Sequence, residues 1–531
     1  MTMNNQTLKS LTNAHAWVGL IISTVLFVIF FAGAISLFKA NITSWERTPL
    51  LIDVKAATGT PAFDKALATI EEQYQVEMHG GFFIFPPDEH NPYIEIGFES
   101  ELAQPDPVTG EDHEHHTLLF DATSGELVGD SHEYNYAEFV YLLHYNLGLD
   151  RPGLYFVGLV TLFFFVAILS GIVIHWRKLF SKFFQYRKDG KKDKWLDAHN
   201  LIGTMGLPMH IMYAFTGLVF NLVIIYQISY AVILYQGNQD ALLDAAGFDQ
   251  PHLEEVDKRM AMTGVDDMYR RAMATMGDVT LERISIEHYG DESAILVFAA
   301  TSNDDFSLWR EVRYLMSSQE QIYLTMDNYD NAVRGGLSTI ASLHFGDFAG
   351  YGMRMAFFLF GLATAYLIIT GNLMWIDKRA KQRKQSARSL NFVRRLTSGG
   401  FIGVVLATAV GFVLARVLPV EQLGRADLIE RSFYAVWIAS IVIAQLFANQ
   451  KLFCKGLLGI CAALFALVAV ADWTLMYGVS SQLEGSVLRD VLLVDAILLL
   501  LSAICVGAMK RVYAGEKQVA PTDVEPIASQ A

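Results

Sequence analysis

The chain of 531 residues is 53% hydrophobic and 18% charged, too apolar for an ordinary soluble protein and too charged for a bare bundle of membrane helices. Its net charge of −15 argues against nucleic acid as a partner, and the three cysteines, Cys454, Cys461 and Cys505, lie in apolar runs, which indicates neither a disulfide framework nor a thiolate metal site. Fourteen histidines are the compositional feature with chemical content.

In chain order, a polar start with one Lys9 precedes an apolar run from Trp17 to Phe38, longer than a signal-peptide core and without a small-residue cleavage site. It predicts an uncleaved first spanning helix. Further runs of about the 20 residues a bilayer requires stand near 153–175, 200–235, 354–376, 401–418, 433–448, 452–476 and 488–508, predicting eight spans. Basic residues from Arg177 to Lys194, from Lys378 to Arg395 and at Lys510-Arg511 mark the cytoplasmic side. The expected organisation is a cytoplasmic amino terminus and first span (1–39), an external domain (40–140), a second span (141–176), a basic loop (177–198), a third span (199–236), a second external domain (237–340), a fourth span (341–377), a second basic loop (378–399), four further spans (400–510) and a cytoplasmic tail (511–531).

Each external segment reads as a small α+β domain. In the first, Phe63 to Tyr74 has helical periodicity, strands are predicted at Phe82 to Phe85 and Tyr93 to Phe98, and Thr117 to Val128 reads as strand, Gly125 turn, strand. The second has a helix over Asp267 to Met276 and strands near Arg283 to His288, Ala294 to Ala299, Arg310 to Met316 and Gln321 to Met326. The membrane pattern is also said twice: Leu-His344 and Thr-Gly371 stand 200 residues after Leu-His144 and Ser-Gly171. An internal duplication follows. The fold class expected is an α-helical integral membrane protein of about eight transmembrane helices with two external α+β domains.

Six histidines sit in or beside the predicted spans: His15, His144, His175, His199, His210 and His344. A polar side chain in hydrocarbon is costly and faces the protein interior, which makes each a functional candidate. His15, His175 and His199 lie at the cytoplasmic ends of three helices, His144 and His344 at external ends, and His210 about 16 Å beyond His199 along a helix. Two layers of imidazoles on separate helices suit transmembrane b-type haem, one or two per chain, with the iron held by the same histidines; the partners within each layer stay open. The covalent Cys-x-x-Cys-His attachment signature is absent. His113, His115 and His116, with Glu111, Asp112 and Glu114, form a weaker metal candidate, for which a solvated loop leading into the Thr117 strand is the commoner reading. No catalytic residue is assigned. Asp472 and Asp495, inside the last two spans, suggest proton relay or ion pairs with Arg416 or Arg489.

Phe-Asp121-Ala-Thr-Ser-Gly125-Glu resembles the turn signature of PepSY domains. Ala-His15 to Gly19, Ala-His199 to Gly203, Leu-His344-Phe-Gly and Thr-Gly371-Asn-Leu-Met-Trp375 together resemble the PepSY-associated transmembrane family of iron-regulated inner-membrane proteins, over roughly residues 10–380. That resemblance implies PepSY-like external domains in the periplasm and a ferric-siderophore reductase: a transmembrane haem oxidoreductase of the bacterial inner membrane that releases Fe(II) from ferric siderophores or other Fe(III) chelates. The cytoplasmic loops are too short for a flavin or nicotinamide domain, which leaves quinol or a separate reductase as electron donor. The alternative is a non-redox PepSY membrane protein that binds a peptide, envelope protein or ligand for signalling or scaffolding.

Overall fold

A computed structural model describes residues 4–513 except 55–58, 103–112, 132, 177–193, 249, 252, 303–309, 327–330, 347, 383–385, 420–421 and 423. Most of the basic loop expected at 177–198, the tail from 514 onward, and Glu111 and Asp112 of the weaker metal candidate lie outside the described residues.

The first half of the chain runs α1 (Asn5–Ser36), α2 (Lys39–Glu46), α3 (Phe63–Gln73), β1 (Phe82–Phe85), β2 (Tyr93–Glu101), β3 (His113–Asp121), β4 (Leu127–Asp130), α4 (Tyr136–Tyr145) and α5 (Asp150–His175). The second runs α6 (Lys194–Met205), α7 (Leu207–Leu234), α8 (Gln239–Ala245), α9 (Val265–Met276), β5 (Val279–Glu287), β6 (Ile295–Ser302), β7 (Arg310–Leu315), β8 (Glu320–Thr325), α10 (Ala332–Phe345) and α11 (Gly350–Ala380). Four helices follow: α12 (Ala387–Val417), α13 (Arg425–Leu446), α14 (Gln450–Val479) and α15 (Gly485–Tyr513). The order helix, four strands, short helix, long helix thus occurs twice.

Among the described residues seven helices, α1, α5, α7, α11, α12, α14 and α15, are long and apolar enough to cross a membrane. The expected eighth, α13, does not reach that length of apolar chain. Arg425, Asp427, Glu430 and Arg431 fill its first two turns and leave fifteen residues before its end. It nevertheless lies antiparallel and close against α12, where a side chain at Gly399 would fall 2.7 Å from the Ser440 carbonyl. The second and third predicted spans are each interrupted. A turn through Leu147, Gly148 and Asp150, all with positive φ, separates α4 from α5, so His144 sits on a short helix packed on α1 rather than on the span itself. Likewise His344 belongs to α10. The third span breaks at Gly206, with Pro208 in the first turn of α7, where the missing N–H costs nothing.

The two external segments are one unit. A single antiparallel sheet runs β4-β3-β2-β1-β5-β6-β7-β8, joined in the middle by Phe83 opposite Ser285 and Ile84 opposite Ile284. Alternation drives one face inward: Ile84, Ile94, Ile96, Phe120, Ile284, Leu296, Phe298 and Val312 are buried in one core under α3 and α9. A strand left at the inner edge of either half would expose its backbone groups, and pairing β1 with β5 removes those two edges and leaves β4 and β8 at the ends of the sheet. Strand β3 begins at His113, so the histidine-rich segment is strand rather than the expected loop.

The carboxy-terminal helices dock on the first half. Arg425 pairs with Glu46 at 2.7 Å, both within a fully buried contact, and Arg416 pairs with Asp472 at 2.5 Å. Trp45 Nε1 donates to Asp472 at 2.6 Å. Asp490, rather than Asp495, stands beside Arg489.

Candidate functional site

Two histidine pairs face each other across the halves of the membrane region. The rings of His15 on α1 and His199 on α6 have centroids 6.4 Å apart at 85°. Those of His144 on α4 and His344 on α10 are 6.0 Å apart at 34°. Metal–imidazole bonds of about 2 Å place two ring centres on opposite sides of one ion at about 6 Å, so both spacings suit bis-imidazole ligation.

The hydrogen bonds fix which nitrogen is available. His15 Nδ1 lies 3.1 Å from the Ala167 carbonyl oxygen and 2.9 Å from Ser170 Oγ; His199 Nδ1 lies 3.1 Å from the Leu367 carbonyl oxygen and 3.2 Å from Thr370 Oγ1. The two sets of partners are again 200 residues apart. His144 Nδ1 meets the Ile29 carbonyl oxygen at 2.9 Å. A carbonyl only accepts, so in all three Nδ1 carries the proton and Nε2 keeps its lone pair. His344 Nδ1 meets Thr216 Oγ1 at 2.6 Å, and that hydroxyl already donates to the Met212 carbonyl at 2.8 Å, which makes it an acceptor toward His344. All four rings are therefore oriented through Nδ1, as ligand histidines are by their outer partners.

His210 differs. Its Nε2 is 3.0 Å from Thr364 Oγ1, and Thr364 donates to the Phe360 carbonyl at 2.8 Å, so the hydroxyl accepts from His210 Nε2–H. That ring holds the opposite tautomer with Nε2 engaged. It lines the same cavity as His15, His175 and His199 and stands apart from His144 and His344. This cavity, about 390 Å³, is walled mainly by apolar groups including Ile22, Leu26, Phe164, Ile168 and Leu367. At its rim Trp17 and Trp375 meet edge to face at 5.4 Å, with the Arg379 guanidinium 5.0 Å and 5.2 Å from the two rings. An apolar slot with cations at its mouth and imidazoles in its wall accommodates a flat amphipathic macrocycle bearing carboxylates. The residues present fit haem.

At the outer pair the placing of His144 depends on Gly33. A side chain there would begin 2.5 Å from His144 Nδ1, so only glycine lets the imidazole reach the α1 backbone. Tyr213 and Phe220 flank His344 at 6.0 and 5.3 Å.

The weaker metal candidate is divided by strand alternation. His113 and His115 share a face of β3 with ring centroids 5.3 Å apart, and His115 Nδ1 lies 3.2 Å from Glu99. His116 points to the other face, where it bonds Ser100 Oγ at 2.8 Å and stacks on Phe98. Glu99, not His116, completes that group. A second group, around His79 and His288, has no counterpart in the sequence pattern because its members are spread over 79–291.

An uncharacterised protein of Pseudomonas aeruginosa is 24% identical over 350 residues, covering 62% of this chain and 86% of its own length. The model of the PepSY-associated TM region matches residues 12–378, which takes in both histidine pairs, the whole sheet and the cavity apart from Arg379 and Gln382 at its rim, and leaves α12 to α15 outside. The chain belongs to the PepSY-associated TM region family.

Proposed function

We propose that this chain is an inner-membrane b-type haem protein that carries electrons across the bilayer to Fe(III) chelates, ferric siderophores among them, on the side of the sheet, with release of Fe(II). The observation that carries the haem reading is the facing of two repeat-related imidazole pairs, each ring tied through Nδ1 and each offering Nε2. His15 and His199 would hold one haem and His144 and His344 the other. Haem bound there would supply one-electron exchange between Fe(III) and Fe(II). Ser170, Thr370, Thr216 and the three backbone carbonyls hold the imidazoles in the tautomer that ligates, and the apolar cavity wall keeps water from competing for the site. The chelate as acceptor rests on the resemblance across residues 10–380. Reduction weakens the grip of hard oxygen donors on iron, so one electron suffices for release. In this reading quinol or a separate reductase supplies electrons at the cytoplasmic face, α13 is the eighth crossing, and both termini are cytoplasmic.

A second reading, a non-redox membrane protein that binds a peptide, envelope protein or ligand, is favoured by the sheet. Its end strands β4 and β8 have no further strand partner among the described residues, which is how added strands are received. Mixing dithionite-reduced protein with a ferric hydroxamate under anaerobic conditions separates the two. Reoxidation of the visible bands with stoichiometric Fe(II), trapped by ferrozine, is expected. A protein that stays reduced, or has no bands to follow, leaves the binding reading in place.

A further inference from the structure

At the seam of the sheet, on the end of β1 away from the turn that touches α15, lies a second histidine cluster. His79 stands in the turn before β1 and His288 in the turn after β5, with ring centroids 5.8 Å apart. His79 N–H donates to the Tyr289 carbonyl at 3.0 Å, which ties the two turns together. Glu255, from the segment leading to α9, brings Oε1 to 3.8 Å from His79 Nδ1 and 3.5 Å from His288 Nδ1. On the other side of the His79 ring, Nε2 faces Asp257 at 3.5 Å and the fully buried Asp291 at 3.7 Å.

Three observations distinguish this group from an ordinary acidic surface. Both ring nitrogens of His79 are buried without a hydrogen bond, although a neutral imidazole carries one N–H and one acceptor and an unsatisfied buried polar group is costly. His79, His288 and Asp257 all adopt left-handed backbone, with φ of 68°, 53° and 58°; such conformations in non-glycine residues cluster where side chains are held for a purpose. Finally, one carboxylate oxygen of Glu255 lies between two imidazole nitrogens, while Asp257 and Asp291 stand behind the first imidazole. That is the arrangement of metal ligands with an outer carboxylate that fixes the histidine tautomer.

We propose that His79 Nδ1, His288 Nδ1 and Glu255 bind a divalent first-row transition ion, with Asp291 and Asp257 as the outer acceptors of His79 Nε2–H. Two imidazoles and one carboxylate with open positions suit ions such as Zn(II), Co(II) or Fe(II) rather than Mg(II) or Ca(II). The ligands come from three segments: the β1 turn of the first half, the β5 turn of the second, and the loop that crosses between them. The ion therefore clamps the join between β1 and β5, adding to a pairing of two residues on each strand and to the His79–Tyr289 hydrogen bond. The clamp is independent of haem.

Full-length protein in detergent, stripped with EDTA and desalted, is titrated with Co(II) and then Zn(II), following the Co(II) visible bands and metal per chain. The wild type is expected to bind one ion per chain at this site and to gain thermal stability with rising Zn(II). His79→Asn with His288→Asn should lose that ion and the thermal gain, while His113→Asn with His115→Asn should keep both. Glu255→Gln, at a half-exposed position that the fold tolerates, should weaken Co(II) binding at least about tenfold and alter its bands. Equal Co(II) affinity and spectra in the wild type, Glu255→Gln and the double histidine variant would overturn the site, as would a stripped wild type that takes up no ion.

Discussion

Asp64 and Asp266 cap each other's helices. The Asp64 carboxylate accepts from the backbone N–H of Val265 at 2.9 Å and of Asp266 at 3.3 Å, and the Asp266 carboxylate accepts from the Asp64 N–H at 3.1 Å. Two negative groups thus meet the positive ends of α3 and α9, and each half of the sheet domain supplies the cap that the other lacks. Replacing either aspartate with alanine should cost about 1 kcal/mol and speed amide exchange at the start of the opposite helix. Exchange that rises only in the helix carrying the substitution would separate the two halves.

His90 reports on the docking of α15. Its Nδ1 is 2.7 Å from Asp490 Oδ2, and Asn41 Nδ2 donates to the other oxygen of Asp490 at 2.7 Å. Burial alone would lower the His90 pKa; the hydrogen bond and charge of Asp490, with Asp88 and Glu89, outweigh it and hold the value above 6.5. A histidine whose folded pKa is raised stabilises the fold fully below its unfolded value and loses that contribution as pH rises through the folded one. The stability difference between wild type and His90→Gln should therefore be fully present below the unfolded value of about 6.5 and shrink as the pH rises through the raised folded value. Unfolding curves at several pH values measure it, and a difference that grows with pH would contradict the pairing.

Gly33 and Gly507 separate site from helix propensity. Alanine at Gly33 would begin 2.5 Å from His144 Nδ1, whereas at Gly507 it meets nothing within 4 Å. Gly33→Ala should remove the outer haem and halve the haem content of folded protein, while Gly507→Ala should leave it unchanged. Pyridine haemochrome assays on monodisperse preparations give the numbers.

The Arg425–Glu46 pair anchors the carboxy-terminal helices. Arg425 also donates to the carbonyls of Ala415 and Glu133, and Glu46 accepts from the Tyr136 N–H at 3.1 Å. Arg425→Met leaves a buried carboxylate without its cation and should cost about 3–5 kcal/mol. Adding Glu46→Gln should cost less than the sum of the two single changes, as measured by unfolding in detergent.

Much of this fold is legible in the sequence because its signals are local. Apolar length marks α1, α5, α11 and α14, an unbroken apolar run marks β1 and alternation β2, and the 200-residue spacing marks His144 and His344 as equivalents without pairing them. What is not legible depends on contacts between distant segments. Nothing in the run Phe82 to Phe85 says that its free edge takes β5 rather than solvent, and the swapped caps at Asp64 and Asp266 read as ordinary first-turn acids. His210 has the helical position of an outer-layer ligand, and only the hydroxyl of Thr364 reveals its different tautomer. His79 and His288 are single histidines in turns, without the spacing of a metal motif, and come together only across the seam.

The most direct test of the central claim is haem content and visible spectrum, measured on wild type and on His199→Ala and His344→Ala. The account predicts two b-type haems per chain in the wild type, with sharp α and β bands on reduction, and one in each variant, with the lost haem differing in potential between the two. A folded wild type from haem-replete cells without a Soret band, or single variants that keep both haems, would contradict it.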